Sequence, residues 1–178
     1  MDEGVESEEA EVPGSLILPA PGDLKKLKSF QDGMFYVQDN AARLAVQTAS
    51  PAPGERVLDA CAAPGGKSFA AAIAMKNQGE ILSCDIHENK LRRIQSGAQR
   101  LGIGCISTRV MDARCPAGEL SAAFDLVLAD VPCSGIGVIR KKPDIRQKSE
   151  EDLRRLPQIQ LDILRGLSRT VKPGGALL

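Results

Sequence analysis

From Arg56 onward the sequence switches repeatedly between short apolar runs and longer stretches with helical periodicity. Arg56–Ala62, Glu80–Ile86, Ile106–Met111 and Phe124–Ala129 read as strands, because short apolar runs closed by turn residues suit buried strands. Between them, Lys67–Lys76 is almost wholly Ala, Ile, Met and Phe and reads as a buried helix. Glu88–Leu101, closed by Gly102, reads as a second helix. A third is expected over residues 150–170, with Ser149 as N-cap and with Pro157 kinking or restarting it. Lys172-Pro173-Gly174-Gly175 reads as a turn, and Ala176-Leu177-Leu178 opens a fifth strand. No other feature constrains the fold as strongly. Repeated strand–helix alternation predicts an α/β fold with a mostly parallel sheet and right-handed crossovers. Ligands of such sheets bind outside the carboxyl ends of the strands.

The chain has 178 residues, of which 43% are hydrophobic, enough for one domain with its own core. Residues 1–23 carry seven acids and no Lys or Arg, and their later part is rich in Pro and Gly. They read as an acidic flexible leader or linker, followed by a partial catalytic domain over 24–178. Leu16-Ile17-Leu18 suits a short strand. Asn40–Thr48 reads as a helix with Ala41, Leu44, Ala45 and Thr48 on one face, ended by Pro51-Ala52-Pro53-Gly54. The chain stops at three residues of its last strand, so it is expected to be truncated at its C-terminus, with the sheet incomplete.

The net charge of zero hides a split: outside the leader, 23 bases face 16 acids. That balance fits a polyanionic partner and also an ordinary solvated surface. Aromatic residues are only 3% and Trp is absent, which argues against a binding surface built on aromatic stacking, although Phe35 and Tyr36 can contribute locally. The five cysteines form no C-x-x-C pair. An odd count, no metal-ligand spacing and no signal peptide point to a reducing, cytoplasmic setting and no metal. No apolar run approaches the roughly 20 residues that span a bilayer, so no membrane partner is expected.

Two loops at strand ends carry the chemistry. The first is Cys61-Ala62-Ala63-Pro64-Gly65-Gly66-Lys67-Ser68. Glycines there let backbone approach a ligand, and the N-terminus of the following helix offers free N–H groups to a carboxylate or phosphate. A P-loop needs a glycine where Cys61 stands, and the dinucleotide pattern G-x-G-x-x-G is absent, so both nucleotide motifs fail. Asp85 closes the second strand, where an acid commonly accepts from a ribose diol. Asp112 closes the third and can receive an adenine amine. Each acid alone also suits an N-cap or a turn. Together with the glycine loop they suit an adenosyl group with an amino-acid tail, that is, S-adenosylmethionine. His87, the one histidine, reads as a surface residue at the start of a helix.

The second loop is Asp130-Val131-Pro132-Cys133-Ser134-Gly135. A thiol here points to attack on an unreactive ring carbon. Carbon 5 of a pyrimidine is a poor nucleophile, and a thiolate added to carbon 6 makes it enamine-like. Lys67 can lower the pKa of Cys133, and Asp130 can hold the exocyclic amine or ring nitrogen of the base. Buried cysteines are also common as packing residues.

Phe35-Tyr36-Val37-Gln38-Asp39, the Cys61–Ser68 loop, Asp85, Asp112, Asp130–Gly135 and the segment from Val138 through Arg140-Lys141-Lys142 to Asp144 follow the order and spacing of one family. From about residue 30 to the end, the chain resembles the RsmB/Sun family of RNA (cytosine-5)-methyltransferases, most closely its bacterial ribosomal RNA branch. The resemblance implies a Rossmann-like methyltransferase fold using S-adenosylmethionine. Cys61, Ala62, Ala63, Pro64, Gly65, Gly66, Lys67, Asp85, Asp112 and Asp130 would hold the cofactor and position the base. In that family the nucleophile is usually a cysteine in a Thr-Cys motif past the fifth strand, and the cysteine of the D-x-P-C loop assists product release. Cys133 matches the latter. The 178 residues alone are therefore expected not to turn over, and the family's usual N-terminal RNA-binding domain has no counterpart in them.

Arg140-Lys141-Lys142 follows the reactive loop directly. Such a cluster binds phosphates without reading sequence. A cytosine inside a duplex is out of reach, so single-stranded or flipped-out RNA is the expected partner. Two rival readings remain: a non-catalytic RNA-binding protein that has kept the fold, and a methyltransferase for a substrate other than RNA. The sequence does not specify an oligomeric state.

Overall fold

The computed structural model describes residues 3–19, 22–138, 145, 147 and 149–178. A short antiparallel pair, β1 (Glu8–Glu9) and β2 (Leu16–Ile17), precedes a one-turn helix α1 (Lys28–Gln31). The Glu3 carboxylate accepts from the backbone N–H of Lys28 at 2.6 Å and from the Ser29 hydroxyl, which caps that turn. Then come α2 (Asn40–Ala49), β3 (Arg56–Asp59), α3 (Gly66–Ala74), β4 (Glu80–Asp85), α4 (Glu88–Arg100), β5 (Ile106–Val110), β6 (Phe124–Leu128), α5 (Glu150–Ser168) and β7 (Val171–Leu177).

The last five strands form one sheet in the order β5-β4-β3-β6-β7, and every pairing in it is parallel. Parallel neighbours need crossovers, which α3, α4 and α5 supply. The pleat divides the core. Leu58, Cys84, Phe124 and Val127 pack with Ile163 and Leu167 of α5 on one face. Val57, Ile81, Leu126 and Leu128 pack with Val46 of α2 and with Ala70, Ala71, Ala72 and Met75 on the other. Burial on both faces explains why the strands read as continuous apolar runs rather than as alternation. Among the described residues no helix is long and apolar enough to cross a membrane.

Three expectations change in detail. Helix α2 forms where expected, with Asp39 as its N-cap, but it buries Val46 while Leu44 remains 54% exposed. Its buried stripe lies one residue away from the Ala41–Leu44–Ala45–Thr48 face, because α2 docks on α3. Helix α5 does not restart at Pro157: it runs unbroken through this exposed position, where packing through Ile163, Gly166 and Leu167 outweighs one lost hydrogen bond. Strand β7 begins at Val171 rather than Ala176. Phe124 pairs with Val171 and Leu126 with Ala176, so Lys172–Gly175 bulge out within the strand. Lys172 Nζ bonds both Asp125 oxygens, at 2.8 and 2.9 Å, across that bulge.

Candidate active site

The order β4-β3-β6 means that connections leave β3 and β6 in opposite directions across the sheet, which opens a crevice beyond their carboxyl ends. A cavity of about 210 Å³ lies there, lined by residues that include Gln38, Asp59, Cys61–Pro64, Gly66, Lys67 and Asp130. The backbone explains why these residues meet. Asp59 pairs with Leu128, and Ala60 donates to the Leu128 carbonyl at 2.9 Å, so the segments leaving β3 and β6 start side by side. Ala62 donates to the Cys84 carbonyl at 2.7 Å, which ties the glycine loop to β4 as well.

The glycine loop turns at Gly65, whose φ of +109° suits only glycine. A Cβ there would lie 2.7 Å from the Phe69 ring, and one at Gly97 would lie 2.5 Å from the same ring. Phe69 thus wedges between the loop and α4. Tyr36 meets Phe69 edge-on at 5.8 Å. Arg100 stacks over Phe30 at 3.8 Å and donates to the carbonyls of Phe30 and Phe35 at 2.6 and 3.0 Å. These contacts lay the 30–38 segment against the helices and bring Gln38 to the cavity.

The two reactive loops are joined directly. Lys67 Nζ bonds Asp130 Oδ2 at 2.6 Å, with the lysine mostly buried and the carboxylate open on its outer side. The ammonium expected to act on Cys133 is therefore held by Asp130. Cys133 is exposed, three residues further on and outside the lining of the cavity. Its loop is fixed to α5 by Gln160, whose amide donates to the Pro132 carbonyl at 2.8 Å.

The acids at the strand ends also converge. Burial pushes the Cys61 thiol up to about 11, and the charges of Asp59, Asp85, Asp130 and Asp112 push in the same direction. All four carboxylates therefore lie within electrostatic reach of Cys61, which stays a neutral thiol and lines the site rather than attacking. Asp85 is nearly buried. Its Oδ1 accepts from the His87 N–H at 2.9 Å and lies 3.6 Å from Lys90 Nζ. His87 itself is exposed at the start of α4. Asp112 is clasped by Arg114, whose Nε contacts both carboxylate oxygens at 3.0 Å and whose Nη2 lies 2.6 Å from Oδ2. That clasp holds its carboxyl below the ordinary carboxylate value, and a ligand amine at Asp112 would have to share it with the guanidinium. Arg140, Lys141 and Lys142 lie outside the described residues.

The strand reading passed over Asp59, which is wholly buried. Its Oδ2 accepts from the Ser68 hydroxyl at 2.7 Å, and Ser68 accepts from Ser83 at 2.8 Å. Its Oδ1 has no hydrogen-bond partner, and burial raises its pKa to about 6. The signal was present, since a carboxylate inside the apolar run Val57-Leu58-Asp59-Ala60 has no packing reason to be there. Gln38 was visible only as one letter of a motif.

Comparison with known proteins fits this geometry. A family model described as 16S rRNA methyltransferase RsmB/F matches residues 46–178. The probable ribosomal RNA small subunit methyltransferase B of Bacillus subtilis is 43% identical over 99% of the chain, which spans 40% of that relative. Ribosomal RNA small subunit methyltransferase B of Vibrio cholerae is 38% identical over 95% of the chain, again spanning only 39% of the relative. Among solved structures, PH0851 superposes with a TM-score of 0.92 at 36% identity, covering 98% of this chain and 40% of that one. NSun6 from Pyrococcus horikoshii, solved with SFG, gives 0.77 at 28% identity over 88% of this chain and 40% of its own.

Proposed function

The chain belongs to the 16S rRNA methyltransferase RsmB/F family, and on that premise we propose that the protein transfers a methyl group from S-adenosylmethionine to carbon 5 of a cytosine in small-subunit ribosomal RNA. One observation carries this reading. Carboxylates stand at the ends of four neighbouring strands within electrostatic reach of Cys61, two of them, Asp59 and Asp130, line one cavity, and Lys67 and Asp130 bond its two loops together. An acidic crevice at the switch point of a parallel sheet suits a ligand carrying positive charge at both a sulfonium and an ammonium.

The residues fit that cofactor. Asp59 Oδ1 is a buried acceptor without a donor at the cavity, and a ligand ammonium would satisfy it. Asp85 stands one strand further along, where ribose hydroxyls are accepted. Bound there, S-adenosylmethionine supplies an electrophilic methyl group on a positively charged sulfur.

The chain's own residues handle the base. The open side of Asp130 accepts from the exocyclic amine of cytosine, while Lys67 keeps its carboxylate oriented. A thiolate added at carbon 6 makes carbon 5 nucleophilic, and loss of the carbon-5 proton with expulsion of the thiolate restores the ring. Cys133, on the exposed lip beyond Asp130, assists that expulsion. None of the 178 residues forms a Thr-Cys pair, so these residues alone are expected to bind the cofactor without turning over. Nucleoside mass analysis of ribosomal RNA treated with the complete protein tests the assignment. The expected product is 5-methylcytidine, and a methyl group on any other atom contradicts it.

A further inference from the structure

Three buried side-chain atoms among the described residues lack a hydrogen-bond partner: Gln38 Nε2, Arg43 Nε and Asp59 Oδ1. Gln38 and Asp59 line the same cavity. Leaving a buried polar atom unpaired is costly, so a donor and an acceptor left open at one cavity mark a place prepared for a ligand with complementary groups. The Gln38 side chain is held rather than loose. Its Oε1 accepts from the Tyr36 hydroxyl at 2.9 Å, and the Arg43 guanidinium lies close enough to act on Tyr36. With Oε1 engaged, the amide can turn only its donor toward the ligand. Gly66 leaves the approach clear, since a Cβ there would come within 3.4 Å of Nε2.

We propose that Gln38 is a cofactor-positioning residue: its amide donates to the carboxylate of an α-amino acid tail whose ammonium is received by Asp59. A zwitterionic tail needs one donor and one acceptor, and the cavity is lined by residues carrying both. Lys67 is spoken for by Asp130, so the neutral amide is the side-chain donor at this end that joins the N–H groups at the start of α3 in meeting a carboxylate. The 35–39 segment thereby becomes part of the site rather than a brace beneath it, and Tyr36 and Arg43 set the direction of the amide. The inference rests on the S-adenosylmethionine reading above and adds the residue that selects the amino-acid end.

The test is a calorimetric titration of the full chain with two ligands: S-adenosylhomocysteine, which keeps the amino-acid tail, and 5′-methylthioadenosine, which lacks it. Gln38→Glu places a carboxylate against a carboxylate. It is expected to weaken S-adenosylhomocysteine by at least about tenfold while leaving 5′-methylthioadenosine within about twofold. Tyr36→Phe frees the amide to flip and is expected to give a smaller loss in the same direction, with circular dichroism and melting temperature reporting that each variant is folded. Unchanged S-adenosylhomocysteine binding in Gln38→Glu would overturn the inference and leave the cofactor reading standing. Equal losses for both ligands in folded variants would overturn it too. A wild-type chain that binds neither ligand would remove the cofactor reading itself.

Discussion

Asp59 shows what a single residue contributes and what it costs. Its carboxyl is wholly buried, with a pKa near 6 against an ordinary 3.8. A shift of that size corresponds to about 3 kcal/mol of stability lost when the group must ionise in the folded protein. The sign follows from the direction. The folded state holds the proton more tightly than the unfolded state, so the penalty is absent below about pH 4 and complete above about pH 6. Asp59→Asn is therefore expected to be more stable than the parent at pH 7 by roughly 2–3 kcal/mol and equal to it near pH 4, by chemical denaturation at each pH. The same variant should bind S-adenosylmethionine more weakly, and parental affinity should fall as pH drops below 6, because a neutral carboxyl no longer receives an ammonium. A destabilising charge kept at a site is a usual sign of function. The acid was legible in Val57-Leu58-Asp59-Ala60 as a misfit. Its open oxygen was not, since that depends on where Ser68 and Ser83 fall in space.

At the scale of elements, the strands and helices were legible because burial on both faces leaves uninterrupted apolar runs, and caps such as Ser149 sit where helices start. What the sequence obscured was docking. Nothing in Asn40–Ala49 reveals that Val46 rather than Leu44 meets α3, since both stripes are apolar. The path of Lys172–Gly175 is set by Asp125 on a neighbouring strand, which no local pattern encodes. The glycine loop is the element where local and distant requirements coincide. Gly65 needs a positive φ, and its missing Cβ makes room for Phe69. Gly65→Ala is expected to lose about 1–3 kcal/mol and to weaken cofactor binding together with stability. Phe69→Leu placed in the same background should restore part of both, because it removes the ring that the new methyl group meets. A thermal melt of the single and double variants reads the result. Absence of any recovery would mean that the backbone conformation, not the ring, sets the cost.

At the scale of the whole molecule, the parallel sheet gathers its chemistry at one edge. Asp59, Asp85, Asp112 and Asp130 are far apart in the chain, yet they end four adjacent strands. The alternation of strands and helices makes that edge foreseeable, and the glycine loop and the Asp-Val-Pro-Cys loop fall on it. The spatial order of the strands was not written in any one segment, so the joining of Lys67 to Asp130 could be seen only in the fold. Outside residues 1–23 the chain carries 23 bases against 16 acids, a balance that suits a polyanionic partner. Replacing Arg140, Lys141 and Lys142 together by Gln is expected to weaken ribosomal RNA binding and to flatten its salt dependence by up to about three units of log-log slope. Cofactor affinity should be unchanged, so that filter binding across a salt series separates the two functions.

The central claim is that the loop at 61–67 and the loop at 130–133 serve one ligand site. Hydrogen–deuterium exchange of the backbone amides, with and without S-adenosylmethionine, tests it most directly. Slowed exchange is expected in both loops at the same ligand concentration, with residues at the opposite sheet edge, such as Glu55 and Lys172, unaffected. Protection confined to one loop, or appearing at that opposite edge, would contradict it.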